Sequence, residues 1–319
     1  MACGAGALAG LVGCCPAIES LRSEIRKIGP SDSRVHVFGE TGTGKERVAR
    51  ALHELSPRAS RSFVPLNAAG IGDELLPSEL FGCAKGAYTG AAVTRDGYIA
   101  AAEGGTLFID EVAELTPLAQ ARLLRFLQEG EYQRLGETVV RRANVRVVSA
   151  TNVDLPQRVA EGRFRQDLWF RLKVHCLVVP PLRERGSDVL LLARHFLAAE
   201  ARTAGVETPR LSSEAEEALL AYAWRGNVRE LEHEMQRLVV RAVPGREVSR
   251  EDLSADIGQA PRSGGTLKAA LQRAESEILV SMLEKHEGRQ ARAAAELGIT
   301  RQALWAKLRR LGVWPSEPV

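Results

Sequence analysis

A glycine-rich stretch near the start of the chain has the residue types and spacing of a phosphate-binding loop. GETGTGKE, residues 39–46, fits the pattern G-x-x-x-x-G-K. In such a loop the glycines allow backbone N–H groups to surround phosphate oxygens, and Lys45 would reach the terminal phosphates. The stretch follows a short β-rich run at 34–38 and precedes a helical pattern at 46–55, which is the context that the motif requires. Glu46 stands where a magnesium-binding Ser or Thr is usual, so a second, acidic element has to supply a metal ligand.

An acidic pair further along the chain supplies that element. GGTLFIDE, residues 104–111, is an apolar strand pattern that ends in Asp110 and Glu111. Asp110 would hold Mg²⁺, directly or through water, and Glu111 would polarise the water that attacks the terminal phosphate. A strand that merely ends in two acids is common, but both motifs in this order and spacing predict a site that hydrolyses ATP with Mg²⁺.

The elements that must position these residues alternate between strands and helices. Short apolar runs of strand length are separated by helical stretches such as 118–130; the runs are 34–38, 63–67, 106–110 and 145–151. Short buried strands that alternate with helices predict an α/β fold with a parallel sheet covered on both faces. The stretch 134–142 interrupts this rhythm with a glycine-containing turn between two strand-like pieces, which predicts an inserted hairpin.

The second half of the chain has helical patterns only. Residues 188–204, 213–224 and 228–242 predict a small all-α subdomain, and a Pro-, Gly- and Ser-containing stretch without periodicity predicts a linker. We therefore expect a disordered start, an α/β P-loop subdomain, an α-helical lid, the linker and a small all-α module. Their predicted bounds are 1–10, 11–185, 186–254, 255–265 and 266–319.

Composition restricts the classes of protein to which the chain can belong. Among 319 residues, 45% are hydrophobic and the net charge is +3, so any basic surface must be local. No apolar run approaches the roughly 20 residues of a membrane span, and we expect no membrane partner. The five cysteines lack metal-ligand spacing, which argues against a disulfide framework or a zinc site and favours a reducing cytoplasm. The apolar start lacks the basic residues of an export signal, since the first charge is Glu19.

Seven motifs in sequence order make a family resemblance specific. They are GETGTGKE, ELFGxxKGAYTGA, GGTLFIDE, ATN, FRxDLxxRL, PPLRER and GNVREL. Over residues 11–254 they resemble the AAA+ domain of bacterial enhancer-binding proteins, the NtrC-type activators of sigma-54 RNA polymerase. The resemblance implies an AAA+ P-loop ATPase. In that family the residue after the P-loop lysine is commonly Glu, so Glu46 is compatible with activity.

The resemblance implies roles for residues around the nucleotide. Asn67 is similar to the switch residue that hydrogen-bonds the catalytic Glu111. Thr151 and Asn152 match sensor I, which reports the terminal phosphate, and Arg229 matches sensor II in the lid. The remaining implied contacts with ATP lie in the phosphate-binding loop: Gly39, Glu40, Thr41, Gly42, Thr43, Gly44, Lys45 and Glu46.

Two further arginines are implied to act between subunits. Arg165 and Arg171 match the pair of arginine fingers that reach ATP held by the neighbouring protomer. Fixed cations stabilise the charge that develops on a transferred phosphoryl group, and a finger supplied in trans makes hydrolysis depend on assembly. The resemblance therefore implies a homo-oligomer, expected to be a hexameric ring. Either arginine alone would more often be an ordinary surface residue.

The stretch KGAYTGA, residues 85–91, resembles the family's G-A-F-T-G-A loop, which contacts sigma-54. Flanking glycines disfavour a helix or strand, so the stretch is predicted to be a loop with one aromatic at its tip. Cys83 and Ala84 depart from the His-Glu that usually precedes the loop lysine. The alternative is a β-turn whose tyrosine packs on its own domain. The implied sigma-54 contacts are Gly86, Ala87, Tyr88, Thr89, Gly90 and Ala91.

The pattern of the C-terminal module over 288–313 predicts a helix, a glycine turn and a second helix. From Arg262 onward there are ten Lys or Arg against six Asp or Glu, a local basic excess. A basic helix after a tight turn is typical of a recognition helix in the DNA major groove, and the module resembles the Fis-type helix-turn-helix of the same family. The alternative is a three-helix protein-binding bundle. The candidate DNA contacts are Thr300, Arg301, Gln302, Lys307, Arg309 and Arg310.

The sequence supports three functional hypotheses. The first is an ATP-driven activator that binds upstream DNA enhancer sites, assembles and remodels the sigma-54 RNA polymerase holoenzyme into an open complex. The second is a DNA-binding AAA+ regulator that does not remodel sigma-54; such relatives typically lack the loop that this chain retains. The third is a general AAA+ unfoldase or helicase loader, which would have no use for a Fis-type tail. The inducing signal, the DNA site and the source of control stay open.

Overall fold

The computed structural model describes most of the chain up to residue 259 and parts of the C-terminal module. The described residues are 8–87, 93–241, 243, 246–259, 278–279, 281–283, 285–286, 290–299, 304 and 308. They belong to two compact units, 1–260 and 261–319.

A five-stranded parallel sheet forms the centre of the first unit, with the strand order β2-β3-β6-β1-β7. Its strands are β1 (Val35–Phe38), β2 (Phe63–Asn67), β3 (Thr106–Asp110), β6 (Arg146–Thr151) and β7 (His175–Val178). A separate antiparallel pair consists of β4 (Glu131–Tyr132) and β5 (Arg141–Arg142). The predicted α/β fold with a parallel sheet is therefore confirmed, although the sequence analysis did not identify β7.

Each face of the sheet is buried, as the apolar strand patterns predict. In β3, Leu107 and Ile109 pack into one hydrophobic core, and Phe108 packs into the core on the opposite face. Successive strand side chains point to opposite faces, so an apolar residue at every position requires cover on both sides. That cover is helical, and it leaves the carboxyl ends of the strands as the accessible edge.

The helices divide between the sheet and the lid. Those of the α/β subdomain are α1 (Pro16–Ile28), α2 (Lys45–Glu54), α3 (Leu76–Phe81), α4 (Tyr98–Ala101), α5 (Pro117–Glu129), α6 (Leu155–Ala160) and α7 (Gln166–Leu172). Those that follow are α8 (Asp188–Ala204), α9 (Ser213–Ala221), α10 (Asn227–Arg241) and α11 (Ala255–Gly258). In the second unit, α12 spans Gln290–Glu296. Short 3₁₀ turns span Leu8–Gly10, Ala68–Gly70, Val112–Glu114, Leu182–Glu184 and Arg250–Asp252.

The lid has its own core around Trp224, whose side chain is fully buried. Its indole N–H donates to the Leu219 carbonyl at 2.8 Å. The helix predicted over 213–224 ends at Ala221 because Tyr222 is extended and Trp224 adopts a positive φ of 47°. This irregular segment turns the chain into α10, which begins at Asn227.

Three further details differ from the sequence-based expectations. The inserted hairpin pairs Glu131 with Arg142 and Tyr132 with Arg141, so its strands lie outside most of the predicted 134–142 stretch. Residues 8–10, assigned to a disordered start, form a 3₁₀ turn, and residues 1–7 lie outside the described residues. The predicted linker begins with α11, because the buried Ile257 packs into the lid core.

Candidate functional site

One cavity of about 530 Å³ lies at the carboxyl-end edge of the parallel sheet. The phosphate-binding loop follows β1, and the ends of β2 and β3 bring Asn67, Asp110 and Glu111 to the same wall. β6 ends at Thr151, and the Thr151 carbonyl accepts a hydrogen bond from Gly39 N–H at 3.2 Å. The parallel order of the strands thus brings together the two motifs identified from the sequence.

The loop has the backbone conformation that its glycines allow. Gly42 and Gly44 have φ values of 78° and 98°, a region that side chains other than glycine rarely adopt. Lys45 is buried, and its ammonium donates to the Gly39 carbonyl at 3.0 Å. The lysine is therefore held across the loop, with its charge at the cavity wall.

The Glu111 carboxylate is held by three partners at the wall of the cavity. Its Oε1 lies 3.4 Å from the Lys45 ammonium, and its Oε2 accepts from the Asn152 backbone N–H at 3.2 Å. The Thr151 hydroxyl lies 3.5 Å from the same Oε2. Glu111 also has a left-handed backbone with φ 51° and ψ 49°, an uncommon conformation for a residue other than glycine. Such conformations cost about 1–3 kcal/mol and concentrate at functional sites.

Asp110 lies beside this carboxylate and is, like Glu111, partly buried. Its Oδ1 accepts from the Glu111 N–H at 3.1 Å. Burial is the main cause that raises the pKa of Asp110; the charges of Glu111 and Glu46 act in the same direction, and Lys45 acts against them. A cation bound here would relieve that crowding of negative charge, which is the setting expected for a metal ligand.

Asn67 does not make the predicted hydrogen bond to Glu111 in the structure. Asn67 lines the cavity, but its side-chain oxygen accepts from the Ala69 N–H at 3.1 Å and caps the 3₁₀ turn after β2. Among the described residues, the Glu111 carboxylate is instead bonded to Lys45, Thr151 and Asn152. The first N–H groups of the 3₁₀ turn after β2 have no backbone partners. The Asn67 side-chain oxygen therefore caps this turn instead of facing Glu111.

Several loop residues assigned to ATP contact have other partners in the structure. The Thr41 hydroxyl accepts from the Asn152 side chain at 2.8 Å, which links the loop to the sensor I position. Glu40 points to the lid, where Arg183 donates to both of its carboxylate oxygens at 2.6 and 2.8 Å. Glu46 pairs with Arg50 one turn later on α2, at 2.7 Å.

The lid supplies Arg229 and two residues of the apolar end of the cavity, Leu192 and Phe196. Arg229 lines the cavity, and its backbone N–H donates to the Gly42 carbonyl at 3.2 Å. The neighbouring Glu230 carboxylate accepts from the Tyr222 hydroxyl and from the Gly226 N–H. Sequence reasoning missed the apolar lining, since such residues are indistinguishable from core residues; it comprises Leu11, Val12, Ile18, Val179, Leu192 and Phe196.

Among the described residues that line the cavity, neither Arg165 nor Arg171 is present. Arg165 precedes α7, and its exposed guanidinium pairs with Asp167 at 2.7 Å. Its backbone N–H donates to the buried Gln120 side chain at 2.9 Å, which fixes the start of α7. Arg171 is exposed in the last turn of the same helix.

The described residues show how the predicted sigma-54 loop begins and ends. Buried Cys83 forms bridges with Arg95 and with Leu135 of the hairpin segment, and Lys85 N–H donates to the Thr94 hydroxyl at 3.1 Å. Gly86 and Ala87 are described, and Gly86 has a φ of 81°. The predicted contacts Tyr88, Thr89, Gly90 and Ala91 lie outside the described residues.

The C-terminal unit has a small core of its own. Ala293 and Ala294 are buried with Leu304 and Leu308, and Gly298 has the positive φ of 66° that the predicted turn requires. The candidate DNA contacts all lie outside the described residues: Thr300, Arg301, Gln302, Lys307, Arg309 and Arg310.

Two kinds of feature are absent from the described part of the chain. Within those ranges, no group of three or more His, Cys, Asp or Glu side chains has the arrangement of a metal site. Among the helices that the structure describes, none is long and apolar enough to cross a membrane.

A phosphate-binding loop on a central parallel strand, an acidic pair on a nearby strand and a helical lid define an AAA+ P-loop NTPase. Comparison with known families identifies the group within that class. The sigma-54 interaction domain matches residues 11–178, the AAA+ ATPase lid domain matches 183–270, and the Fis family of bacterial regulatory proteins matches 270–311. The chain therefore belongs to the sigma-54 interaction domain family, and it is a sigma-54-dependent transcriptional activator.

Individual relatives agree with this assignment. The transcriptional regulatory protein ZraR of Salmonella typhimurium is 43% identical over 94% of this chain and 68% of its own length. The regulatory protein AtoC of Escherichia coli is 40% identical over 95% of this chain and 68% of its own length. The crystal structure of NtrX from Brucella abortus in complex with ATP is similar with a TM-score of 0.75 and 35% identity, over 95% of this chain and 70% of that one. The resemblance seen in the sequence is confirmed.

Proposed function

We propose that this chain hydrolyses ATP in the cavity described above and uses that hydrolysis to remodel the sigma-54 RNA polymerase holoenzyme into an open complex. The observation that carries the proposal is the Glu111 carboxylate, anchored between Lys45 and the Asn152 N–H at the wall of a cavity lined by the phosphate-binding loop. A fixed carboxylate next to the phosphate site is suited to orienting and deprotonating a water molecule. The complex of NtrX with ATP supports the choice of nucleotide.

Mg²⁺ fits the donor set of this site. Asp110 and Glu111 offer carboxylate oxygens, which Mg²⁺ prefers, and protein sites for Mg²⁺ commonly use one or two carboxylates plus substrate phosphates and water. The raised pKa of Asp110, caused mainly by burial, also fits a position where a cation is expected. Asp110 would hold the ion directly or through water. When bound, Mg²⁺ would neutralise charge on the phosphates.

Arg165 and Arg171 act, in this proposal, on ATP bound to the neighbouring protomer. Both are exposed at α7, away from the chain's own cavity in the described part of the molecule. An exposed arginine at a fixed helix start can enter another subunit's site, where phosphate oxygens would replace the Asp167 carboxylate with which Arg165 pairs here. The assembly proposed is a homo-oligomeric ring, expected to be hexameric.

The remaining parts connect hydrolysis to transcription. The loop at 85–91 contacts sigma-54 through Tyr88 and Thr89, and the Fis-type module binds upstream DNA enhancer sites. Because the loop lies between the two nucleotide motifs in the chain, phosphate-dependent movement can displace it. A protein with these partners acts in the cytoplasm, where RNA polymerase is.

Transcription in vitro from a sigma-54 promoter tests the proposal. The parent with ATP should form open complexes. Tyr88→Ala should keep ATP hydrolysis but lose open-complex formation, because it removes the loop aromatic proposed to contact sigma-54 and leaves the phosphate-binding loop, Asp110 and Glu111 unchanged. Tyr88→Phe, which restores the aromatic that the family carries there, is the matched control and should activate. Activation by Tyr88→Ala at the parent's level would refute the role of the loop, and hydrolysis without any activation by the parent would favour a regulator that does not remodel sigma-54.

A further inference from the structure

Asn227, the first residue of α10, makes an unusual set of contacts. Its side chain is fully buried, and its backbone has a positive φ of 56°. The carboxamide oxygen accepts from Leu182 N–H at 2.8 Å, and the carboxamide nitrogen donates to the Thr41 carbonyl at 3.0 Å and to Glu40 Oε2 at 3.1 Å. One side chain of the lid is thereby bonded to the phosphate-binding loop and to the segment between the two subdomains.

Glu40 completes this junction from the side of the loop. Its carboxylate is shared between Asn227 and Arg183, which donates to both oxygens. The hydrogen bonds from Arg183, followed by the one from Asn227, lower the pKa of Glu40 to about 2. Glu40 is therefore ionised at neutral pH and accepts from both partners.

The backbones of the loop and the lid are also in direct contact. A Cβ atom added at Gly42 would lie 2.2 Å from the Gly226 carbonyl oxygen, so only glycine fits there. Two residues after Asn227, the Arg229 N–H donates to the Gly42 carbonyl at 3.2 Å, and the Arg229 side chain lines the cavity. A shift of the loop must therefore move the first turn of α10 or break these contacts.

The start of α10 is itself held in one conformation. Asn227 N–H donates to the Trp224 carbonyl at 2.8 Å, and both residues have positive φ values. Glu230 accepts from Gly226 N–H at 2.8 Å and from the Tyr222 hydroxyl at 3.0 Å. These hydrogen bonds connect the turn before α10 to the first turn of the helix.

We infer that Asn227 is a positioning residue of the ATPase, which locks lid helix α10 to the phosphate-binding loop and so sets the place of Arg229 over the nucleotide. The inference rests on the proposed contact of Arg229 with ATP. Asn suits the position because it tolerates a positive φ and offers a donor and an acceptor at once. Asp would present a second carboxylate to Glu40, and Gly would keep the backbone but lose every side-chain hydrogen bond.

The test uses the full chain and compares Asn227→Gly with Arg229→Ala and the double variant. Each single variant should lower ATP turnover at least about tenfold, since misplacing a positioning group costs one to two orders of magnitude. If Asn227 acts through Arg229, the double variant should be no slower than Arg229→Ala. Parental turnover in Asn227→Gly beside an impaired Arg229→Ala would overturn the inference. Parental turnover in Arg229→Ala would instead refute the proposed role of Arg229. The Glu111→Gln variant tests the proposed hydrolysis site separately, because it does not involve the lid.

A polarity swap separates positioning from mere folding. Asn227→Asp should lose turnover because two carboxylates face each other. The double variant with Glu40→Gln should turn over ATP several-fold faster than Asn227→Asp alone. In it the new amide at position 40 can donate to the new carboxylate at position 227. A purely structural role predicts that the two defects add.

The single variant Glu40→Gln decides the question if Asn227→Asp fails to fold, because Glu40 is half-exposed and tolerates the change. It should lower turnover, and it should weaken the slowing of hydrogen exchange in residues 227–241 on ATP binding. Parental turnover and exchange in Glu40→Gln would contradict the inference.

Discussion

The two sets of residues assigned to catalysis occupy contrasting environments. Lys45 and Glu111 face one cavity, and their side chains are 6% and 17% exposed. Arg165, by contrast, is 49% exposed and pairs on the surface with Asp167, which is 46% exposed. The first set is positioned by strand ends and a folded loop, and the second by the start of a surface helix.

This contrast agrees with the proposed division of the catalytic machinery. In that proposal the chain's own cavity binds phosphate and orients water, whereas the exposed Arg165 and Arg171 act on ATP held by a neighbouring protomer. An arginine supplied by a second subunit raises turnover by orders of magnitude in other P-loop enzymes. The division therefore predicts that nucleotide binding belongs to the single chain and that fast hydrolysis belongs to the assembly.

The largest expected effect concerns the buried half of the site. Lys45→Ala should abolish ATP binding, because the ammonium that faces the phosphates is lost. Glu111→Gln should still bind ATP but lower turnover by about 100-fold or more, since it cannot act as a general base. Equilibrium binding and steady-state hydrolysis distinguish the two variants. Hydrolysis by both at the parent's rate would show that the cavity is not the catalytic site.

Substitution of the exposed Arg165 should change turnover but not ATP binding. Arg165→Ala should leave ATP affinity nearly unchanged and lower turnover by about a thousandfold. Arg163→Ala is the matched control, because Arg163 is an exposed arginine two residues earlier that pairs with Glu161; it should hydrolyse ATP like the parent. Specific activity of the parent should also rise with protein concentration. Equal losses in both variants would mean that Arg165 has no special role.

The smallest effect concerns how α7 is held against the sheet. Buried His36 contacts Trp169 of α7 edge to face at 5.1 Å and Ser149 at 3.0 Å. Burial, with a smaller contribution from the charge of Lys173, lowers the pKa of His36 from 6.5 to about 4. The unfolded chain therefore binds the proton more tightly, so stability is full above pH 6.5 and decreases as the pH falls toward 4. The loss between pH 7 and pH 5 should be about 2 kcal/mol.

Urea unfolding at the two pH values measures that loss. His36→Asn should show a smaller decrease than the parent over the same interval, because the titrating group is gone. An identical pH dependence in the two proteins would mean that His36 does not hold its neutral form in the fold.

Much of the site could be predicted because its residues carry local signals. Gly42 and Gly44 require a left-handed backbone, and Asp110 and Glu111 end an apolar strand, so type and spacing alone identify them. The parallel sheet follows from the same alternation of short apolar runs with helices. The strand β7 was missed because its apolar run, Cys176 to Val179, is short and directly follows the helical pattern of α7, and periodicity alone does not distinguish such a run from the end of a helix.

Contacts that depend on tertiary structure could not be predicted in this way. Nothing local indicates that Glu40 pairs with Arg183, or that Asn227 reaches the loop, because these residues are far apart in the chain. The hydrogen bond from Ala69 N–H to the Asn67 side chain likewise depends on a 3₁₀ turn that no sequence motif indicates. The apolar end of the cavity has no distinct sequence pattern, because its residues are of the same types and spacing as ordinary core residues.

Mixing two inactive variants tests most directly whether the site is divided between subunits. Lys45→Ala lacks the chain's own phosphate site but keeps Arg165, and Arg165→Ala has the opposite defect. In equimolar mixed assemblies, about one interface in four should join an intact cavity to an intact arginine, so about a quarter of the parent's turnover should return. Turnover in the mixture equal to the average of the two separate proteins would contradict the account.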